Sequence, residues 1–495
     1  MTIQEVIERI PVKAVSGPTD GSVSGVVYDS RKGTEGSLFC ALPGAANDGN
    51  EFVANAVDSG AAAIISEQGN PAQFPVAWLE VANARAAMGI AAANFEKHPS
   101  LEFSVVGITG TNGKTTTAFL VHFLFESILH RAGLIGTIFY STGEGIEEAP
   151  HTTPESPEVH RLLREMRNHD CRGMAMEVSS HGLVQHRVEG VAFDVGIFTN
   201  LSQDHLDFHG NMEDYFAAKK RLFDQMESED RKTGVALVNI DDAFGARLAK
   251  AAFERIEVKT YGRAANADYR ASDLHSDFDG TRFKLSVGER SFLVRIPLIG
   301  SFNVANSVAA IAAAHSAGLN LRETIAKMAE APQVPGRLEA VGGRQINYRV
   351  FVDYAHTPDA LVNVIETLRA LEPVRLITVF GCGGDRDVTK RAPMAAAVEK
   401  GSNLSILTSD NPRTESPTKI LADAEKGFRG NEYEVIEDRA EAIRRAIELA
   451  GERDIVLIAG KGHEAYQEIE GVRHDFDDRK VSAKWIAEKS ERGSR

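Results

Sequence analysis

Short apolar runs, each closed by a polar, glycine-containing segment and followed by a helical period, recur along the chain. In the first hundred residues they predict strands at Gly25 to Tyr28, Ser37 to Ala41, Ala62 to Ser66 and Val76 to Val81, interleaved with helices. Further strands are predicted at Phe103 to Ile108, Met174 to Val178, Val195 to Thr199 and Val235 to Ile240, with a helix from Thr116 to His130 stopped near Gly133. Between about 268 and 297 the period becomes two, as in Arg282-Phe-Lys-Leu-Ser-Val287 and Phe292-Leu-Val-Arg-Ile296, which predicts antiparallel hairpins beside a parallel sheet. The prolines of Ala331-Pro-Gln-Val-Pro-Gly-Arg337 then break the pattern and read as a linker. Beyond it strands at Arg349 to Tyr354, Arg375 to Phe380, Leu404 to Thr408 and Asp454 to Ala459 alternate with helices at Asp359 to Leu371, Pro393 to Lys400, Thr418 to Phe428 and Ala440 to Ala450. That alternation predicts a doubly wound parallel sheet.

At 495 residues the chain exceeds what one core serves, and the pattern divides it into candidate domains at 1–99, 100–333 and 334–495. Hydrophobic residues make up 43% and charged residues 25%, as in folded globular domains, and no apolar run reaches the roughly 18 residues of a membrane span. The opening Met1-Thr-Ile-Gln-Glu-Val-Ile-Glu8 has no basic segment leading into an apolar stretch, so no secretory signal and a cytoplasmic protein are expected; a monomer is expected as well. A net charge of −15 argues against nucleic acid as a partner, while leaving room for small anions held by local positive charge. Cys40, Cys171 and Cys382 are too scattered for a zinc site and odd in number for disulfides, and are read as reduced and buried.

Candidate chemistry starts at Val105-Val-Gly-Ile-Thr-Gly-Thr-Asn-Gly-Lys-Thr-Thr-Thr117, where a strand breaks into a glycine-rich turn before a helix. Such a turn cradles a nucleotide triphosphate. Gly110, Thr111, Asn112 and Gly113 supply backbone N–H groups, Lys114 reaches the β/γ-phosphates, Thr115 offers a hydroxyl to Mg²⁺, and Thr116 continues the helix N-terminus. The strict consensus fails at Ile108, which stands where its first glycine belongs, so context must carry the reading.

Ligands of open α/β sheets collect beyond the carboxyl ends of the strands, and here those ends are polar. Glu177-Val-Ser-Ser-His181-Gly-Leu-Val-Gln185-His-Arg187 and Asn200-Leu-Ser-Gln-Asp204-His205-Leu-Asp207-Phe-His209 place a carboxylate and an imidazole, Glu177 and His205, beside the phosphate loop. For His186 and His209 an ordinary packed or surface role is preferred. Four strand ends of the last domain carry Asp353-Tyr-Ala-His356-Thr-Pro358, Gly383-Gly-Asp385-Arg386-Asp387, Ser409-Asp-Asn-Pro-Arg413 and Gly460-Lys-Gly-His-Glu464. A rim of arginines, amides and carboxylates suits a zwitterion.

These segments, in this order over nearly the whole chain, resemble the Mur ligase family. The resemblance implies an α/β fold of three domains: a small N-terminal α/β domain holding the UDP end of the substrate, a central phosphate-loop ATPase domain with antiparallel hairpins, and a C-terminal doubly wound, Rossmann-like domain. It implies ATP and Mg²⁺ as cofactors, with Thr115, Glu177 and His205 at the metal, and it matches Lys219 to a position modified to a carbamate. Tyr28, Ser30 and the turn Ala45, Ala46, Asn47 match uridine-site positions, although Ala45 and His151 stand where members vary. Thr152, Thr153, Ser179, Gln185 and Arg187 match contacts to a muramoyl-peptide; Asn303, Asn306, Arg337 and Asp353 match the ATP site. Arg386, Asp410, Asn411, Pro412, Arg413, Gly460 and Glu464 match the incoming amino acid's site, and Asp410-Asn-Pro-Arg413 is similar to members that take meso-diaminopimelate. The implied partners are UDP-N-acetylmuramoyl-L-alanyl-D-glutamate and meso-diaminopimelate, joined through an acyl phosphate. A lysine-adding member, a folylpolyglutamate synthase and a non-catalytic nucleotide-binding module stay open as alternatives.

Overall fold

The computed structural model describes residues 1–44, 48–343 and 346–493. Its residues group into two compact units, one of 1–273, 284–294 and 305–330, the other of 274–283, 295–304 and 331–495.

The first unit opens with a sheet in the order Val12–Ser16, Ala77–Val81, Ala63–Ser66, Ser37–Cys40, Gly25–Val27. Its last four strands run parallel; Ala77–Val81, Ala63–Ser66 and Ser37–Cys40 are buried on both faces, with Leu38, Ile65, Leu79 and Met88 on one side and Phe39, Ile64 and Trp78 on the other, and Gly25–Val27 at the edge is half-buried. The edge strand Val12–Ser16 is antiparallel and was not anticipated, because all five residues are exposed and carry no inside–outside alternation.

The second sheet of this unit sets the phosphate loop among parallel neighbours, in the order Ala132–Ile135, Gly173–Glu177, Ser104–Thr109, Val195–Phe198, Val235–Asn239 and Glu257–Gly262. Short antiparallel strands Phe139–Ser141 and Ile146–Glu148 extend one edge. The other continues into Tyr269–Asp277, Gly280–Val287 and Arg290–Ile296, the hairpins that the period-two pattern predicts. The helix after the loop spans Lys114–Leu129 and ends on His130, whose φ of 72° is left-handed. The stop expected near Gly133 is therefore displaced: Gly133 lies in the buried strand Ala132–Ile135, where a side chain would overlap the Met166 thioether.

In the second unit the sheet runs Glu339–Val341, Arg349–Asp353, Ile455–Ala459, Leu376–Cys382, Leu404–Ser409 and Tyr433–Val435. All its pairings are parallel except that of the first strand. Leu361, Val364, Met394 and Ile420 cover one face; Ala442, Ile443, Ala446 and Ile486 cover the other. Helices on both faces make the sheet doubly wound. A separate hairpin, Tyr466–Ile469 with Val472–Asp475, follows the last central strand.

Candidate functional site

The loop after Ser104–Thr109 turns on two glycines that no other residue could replace without strain. Gly110 has φ 148° and a Cβ there would overlap Thr199 Oγ1, while Gly113 has φ 85° and its Cβ would overlap Asn306 Oδ1. The N–H groups of Thr111 and Asn112 donate to the backbone and side-chain oxygens of Asn200, both at 2.9 Å, and these bonds brace the loop. The neighbouring strand end thereby fixes the loop's shape. Lys114 folds back over it, its ammonium donating to the carbonyls of Gly110 at 2.9 Å and Thr111 at 2.8 Å, at the positive end of the helix it begins. Thr116, in the same first turn, is buried.

Glu177, at the end of the adjacent strand, is the hub of this region. Its Oε2 accepts from the Thr115 hydroxyl at 2.9 Å and the Thr137 hydroxyl at 3.1 Å, and its Oε1 from the Thr137 N–H at 2.7 Å. Thr115 and Glu177 thus present hard oxygens side by side, as the sequence reading placed them. Among the described residues no three His, Cys, Asp or Glu side chains converge as a metal cage. His205 stands at the start of the short helix Leu206–His209 with φ 51°, its Nε2 3.5 Å from Asp204. Desolvation lowers its pKa and the Asp204 carboxylate pulls the other way.

Lys219 lies beneath the loop, 1% exposed, donating to the Gly110 carbonyl at 2.7 Å with its ammonium 4.4 Å above the Tyr215 ring. Burial, helped by the charge of Lys114, drives its pKa far below the ordinary lysine value. Tyr215 in turn bonds Thr111 and stacks on His209, so the loop, Lys219 and His209 share one support. His209 is buried and bonded to Ser180 Oγ at 2.9 Å, and His186 contacts Glu189 and Asn83, in keeping with packing roles.

The residues matched to the muramoyl-peptide come together next to Glu177. Thr153 donates its hydroxyl to the Glu177 carbonyl and accepts from the Ser179 N–H; Ser179 caps the helix Ser180–Val184; Thr152 and Thr137 hydroxyls meet at 3.1 Å. Arg187 donates to the Thr153 carbonyl at 2.8 Å and pairs with Glu155 at 3.0 Å. Buried Gln185 Oε1 and Arg187 Nε have no hydrogen-bond partner among the described residues, which is where a polar ligand would compensate them. Tyr28 bonds Glu158 at 3.2 Å, and burial with that carboxylate raises its pKa. Ser30 begins a short helical turn capped by Asp29. Ala45, Ala46 and Asn47 lie outside the described residues.

In the second unit the Arg337 guanidinium lies 4.7 Å over the Tyr354 ring. Asp353 is buried, which raises its pKa, and its two oxygens accept from the N–H groups of Leu338 and Ala355. It shapes the turn that carries Arg337. Asn303, in the first turn of the helix Ser301–Ser316, donates its side-chain amide to the Ile299 carbonyl at 2.9 Å and so ties the helix to the segment before it. At the amino-acid rim the four strands Arg349–Asp353, Ile455–Ala459, Leu376–Cys382 and Leu404–Ser409 are consecutive neighbours, so their carboxyl ends share one edge. Asn411 donates to Glu464 Oε2 at 2.8 Å, and Arg413, with φ 53°, donates to the Gly384 carbonyl at 2.6 Å. Gly384 sits so close to Pro412 that a side chain would overlap the Pro412 carbonyl, and Gly460 adopts φ 120° against Asp410. Arg386 is exposed.

Three supports of this rim were not among the residues assigned to it from sequence. Lys461 is buried between Asn411 and Glu464, Arg439 and Asp478 form a fully buried ion pair at 2.7 Å, and the hairpin after Tyr466 clamps the turn. Arg439 also donates to the carbonyls of Ser409 and Ala459, tying two of the strand ends. The hairpin contributes Gln467 Nε2 to the Asp410 carbonyl at 2.7 Å and exchanges backbone bonds with Arg413 through Glu468 and Glu470. Lys461 lies within a motif that was singled out; the partners of Arg439 lie far off in sequence and leave no local signal.

Residues 22–96, 108–314 and 336–462 match family models described as "Mur ligase family, catalytic domain", "Mur ligase middle domain" and "Mur ligase, glutamate ligase domain". The chain is 41% identical to the UDP-N-acetylmuramoyl-L-alanyl-D-glutamate–2,6-diaminopimelate ligase of Syntrophomonas wolfei, over 98% of this chain and 99% of that one. It is 44% identical to the enzyme of the same name from Solibacter usitatus, over 97% of each. A solved structure of a ligase of that name aligns with TM-score 0.74 and 36% identity, covering 99% of both chains.

Proposed function

The chain belongs to the Mur ligase family, and on that premise we propose that it joins meso-2,6-diaminopimelate to the D-glutamyl γ-carboxylate of UDP-N-acetylmuramoyl-L-alanyl-D-glutamate. It is an ATP-dependent ligase of peptidoglycan precursor synthesis. The observation that carries the choice of amino acid is the rim of the second unit, where Arg413, Asn411 and Glu464 are held around one turn. Diaminopimelate is lysine with a carboxylate added at its far end beside the ammonium. An arginine there has an anion to grip, and L-lysine would leave it only the Glu468 carboxylate, 3.9 Å away, in a partly desolvated site.

The substrate carboxylate attacks the γ-phosphorus of ATP, giving an acyl phosphate and ADP; the amine of diaminopimelate then attacks the acyl carbon, and phosphate leaves as the amide forms. Lys114 stabilises charge on the transferring phosphoryl group, and the helix opening at Lys114 adds its dipole. The Thr115 hydroxyl and Glu177 carboxylate fit Mg²⁺, which keeps several waters and takes one or two protein oxygens plus phosphate oxygens. When bound, that ion would neutralise phosphate charge; His205 stands nearby as a further candidate. Thr152, Thr153, Ser179, Gln185 and Arg187 hold the peptide so that its carboxylate reaches the loop, while Tyr28 and Ser30 take the uridine end. Arg337, Asn303 and Asp353 serve ATP, Asp353 by shaping the Arg337 turn. We assign Lys219 as a carbamate, formed from its neutral amine and CO₂ with loss of a proton. Its burial and depressed pKa supply that neutral amine. No described helix is long and apolar enough to cross a membrane.

The test is ADP release with UDP-muramoyl-dipeptide and a panel of amino acids. Diaminopimelate should be preferred over L-lysine by roughly 10⁴ in kcat/KM, the scale on which a site built around a polar group rejects the analogue lacking it. Arg413→Ala should lose most of that preference. Comparable use of the two amino acids would assign the chain to a different member of the family.

A further inference from the structure

We infer that Lys461 sets the amino-acid specificity of this rim by acting through Asn411 and Glu464; the inference rests on the reading of the rim as the amino-acid site. The Lys461 side chain is 0% exposed, and its ammonium donates to Asn411 Oδ1 at 3.0 Å and Glu464 Oε2 at 3.2 Å, with the Tyr466 ring 5.3 Å away. A side-chain amide can in general face either way, its orientation being set by its partners. At Asn411 two donors converge on the oxygen, Lys461 and the Glu468 N–H at 3.0 Å, so the nitrogen must face Glu464. Its bond to Glu464 Oε2 at 2.8 Å completes a closed triangle of lysine, amide and carboxylate. Among the described residues both side-chain bonds to Glu464 fall on Oε2, which leaves Oε1 for an incoming ammonium.

The consequence is electrostatic. A bare, half-buried Glu464 would draw any ligand with a terminal ammonium, L-lysine included. With the buried Lys461 cation bonded to it and Arg439 also acting on it, Glu464 offers a hydrogen-bond acceptor whose charge is offset, so an ammonium alone is poorly rewarded and the ligand's second carboxylate on Arg413 decides. Lys461 is thus a positioning residue with a charge role: it fixes the amide and removes the advantage of the more cationic competitor.

The experiment compares kcat/KM for meso-diaminopimelate and L-lysine in the unmutated protein, Lys461→Met, Lys461→Gln and Lys461→Arg, with KM for ATP as the control. The expected result is a ratio lowered about ten-fold or more in the two uncharged variants, kept within about three-fold in Lys461→Arg, and an ATP KM little changed, since one relocated charge in a polar site is felt on this scale. A parallel loss for both amino acids, leaving the ratio as it was, overturns the specificity role. So does failure of both uncharged variants to fold, which would make Lys461 purely structural. Failure of the unmutated protein to use diaminopimelate would instead remove the functional reading itself.

Discussion

A lysine amine that is 1% exposed and has Lys114 as its charged neighbour is poorly stabilised as an ammonium, and no carboxylate pairs with Lys219 among the described residues. The neutral amine can capture CO₂, and the resulting carbamate would place anionic oxygens beside a phosphate loop that needs a counter-ion or water anchor. We expect Lys219→Ala to lose about 10² or more in kcat, on the scale of removing one electrostatic participant, and carbon-13-labelled bicarbonate to give the unmutated protein a carbamate resonance. A fully active Lys219→Ala protein would remove the assignment. The histidines offer a different test. Burial lowers the pKa of His160 to about 4, against an ordinary 6.5, so between those values the unfolded chain binds the proton that the folded chain refuses. His160 is therefore stabilising in its neutral form above pH 6.5, and that contribution is lost as pH falls toward 4. Calorimetry should show a melting temperature that declines over this window, and His160→Gln should flatten the decline. At this scale the sequence was legible where a motif fixes the backbone: Lys114, Thr115 and Glu177 lie together as read. Burial was not legible, so Lys461 and the depressed pKa of Lys219 needed the structure.

Helices and central strands of the second unit could be read from the chain because each buries a continuous apolar face, as in Ile455–Ala459 and Leu376–Cys382, where every residue is buried. Edge elements could not. Val12–Ser16 is exposed throughout, and Glu339–Val341 and Tyr433–Val435 have three residues each and are half-buried or exposed, too short to show a period. The turn conformations that shape the rim are equally silent in a pattern of apolar positions. Gly460 is the clearest case: with φ 120° and a built Cβ 2.5 Å from Asp410 Oδ2, alanine there is strained and also pushes on the Asp410–Arg413 turn. Gly460→Ala should raise KM for the amino acid about ten-fold or more and KM for ATP by less, because the N–H bond of Gly460 to the Asp353 carbonyl at 3.0 Å is backbone and survives the substitution, whereas the strain falls on the Asp410 side chain. Steady-state kinetics with each substrate varied in turn checks this; equal effects on both would indicate general unfolding of the sheet.

At the scale of the whole chain, the second compact unit is not a simple C-terminal piece. Residues 274–283 and 295–304 pack with 331–495, across the proline-rich segment near 334 at which the apolar and polar pattern changes. The physical reason lies in the core: Ile299 joins Leu338, Phe351, Leu361 and Leu376 in one buried cluster, and Phe278 and Phe302 pack against it. Phe278 also lies 5.3 Å from the Arg349 guanidinium, and Gln333 donates to the Pro297 carbonyl at 2.6 Å. A period-two run gives no sign that its turns belong to a different core from its strands, so this partition could not be read from sequence. It has a measurable consequence. A fragment of residues 331–495 keeps its parallel sheet but loses buried Ile299 and half-buried Phe278 and Phe302 from one face; a large apolar side chain fully removed from water is worth about 1.5–3 kcal/mol, and each half-buried ring contributes part of that. Against a typical domain stability of about 5–15 kcal/mol, that loss is a large fraction. The fragment should therefore melt well below the corresponding transition of the full chain and bind a dye specific for exposed apolar surface. A fragment that melts as the full chain does, with no dye binding, would show that the core is complete without those residues and that the break near 334 is the true boundary.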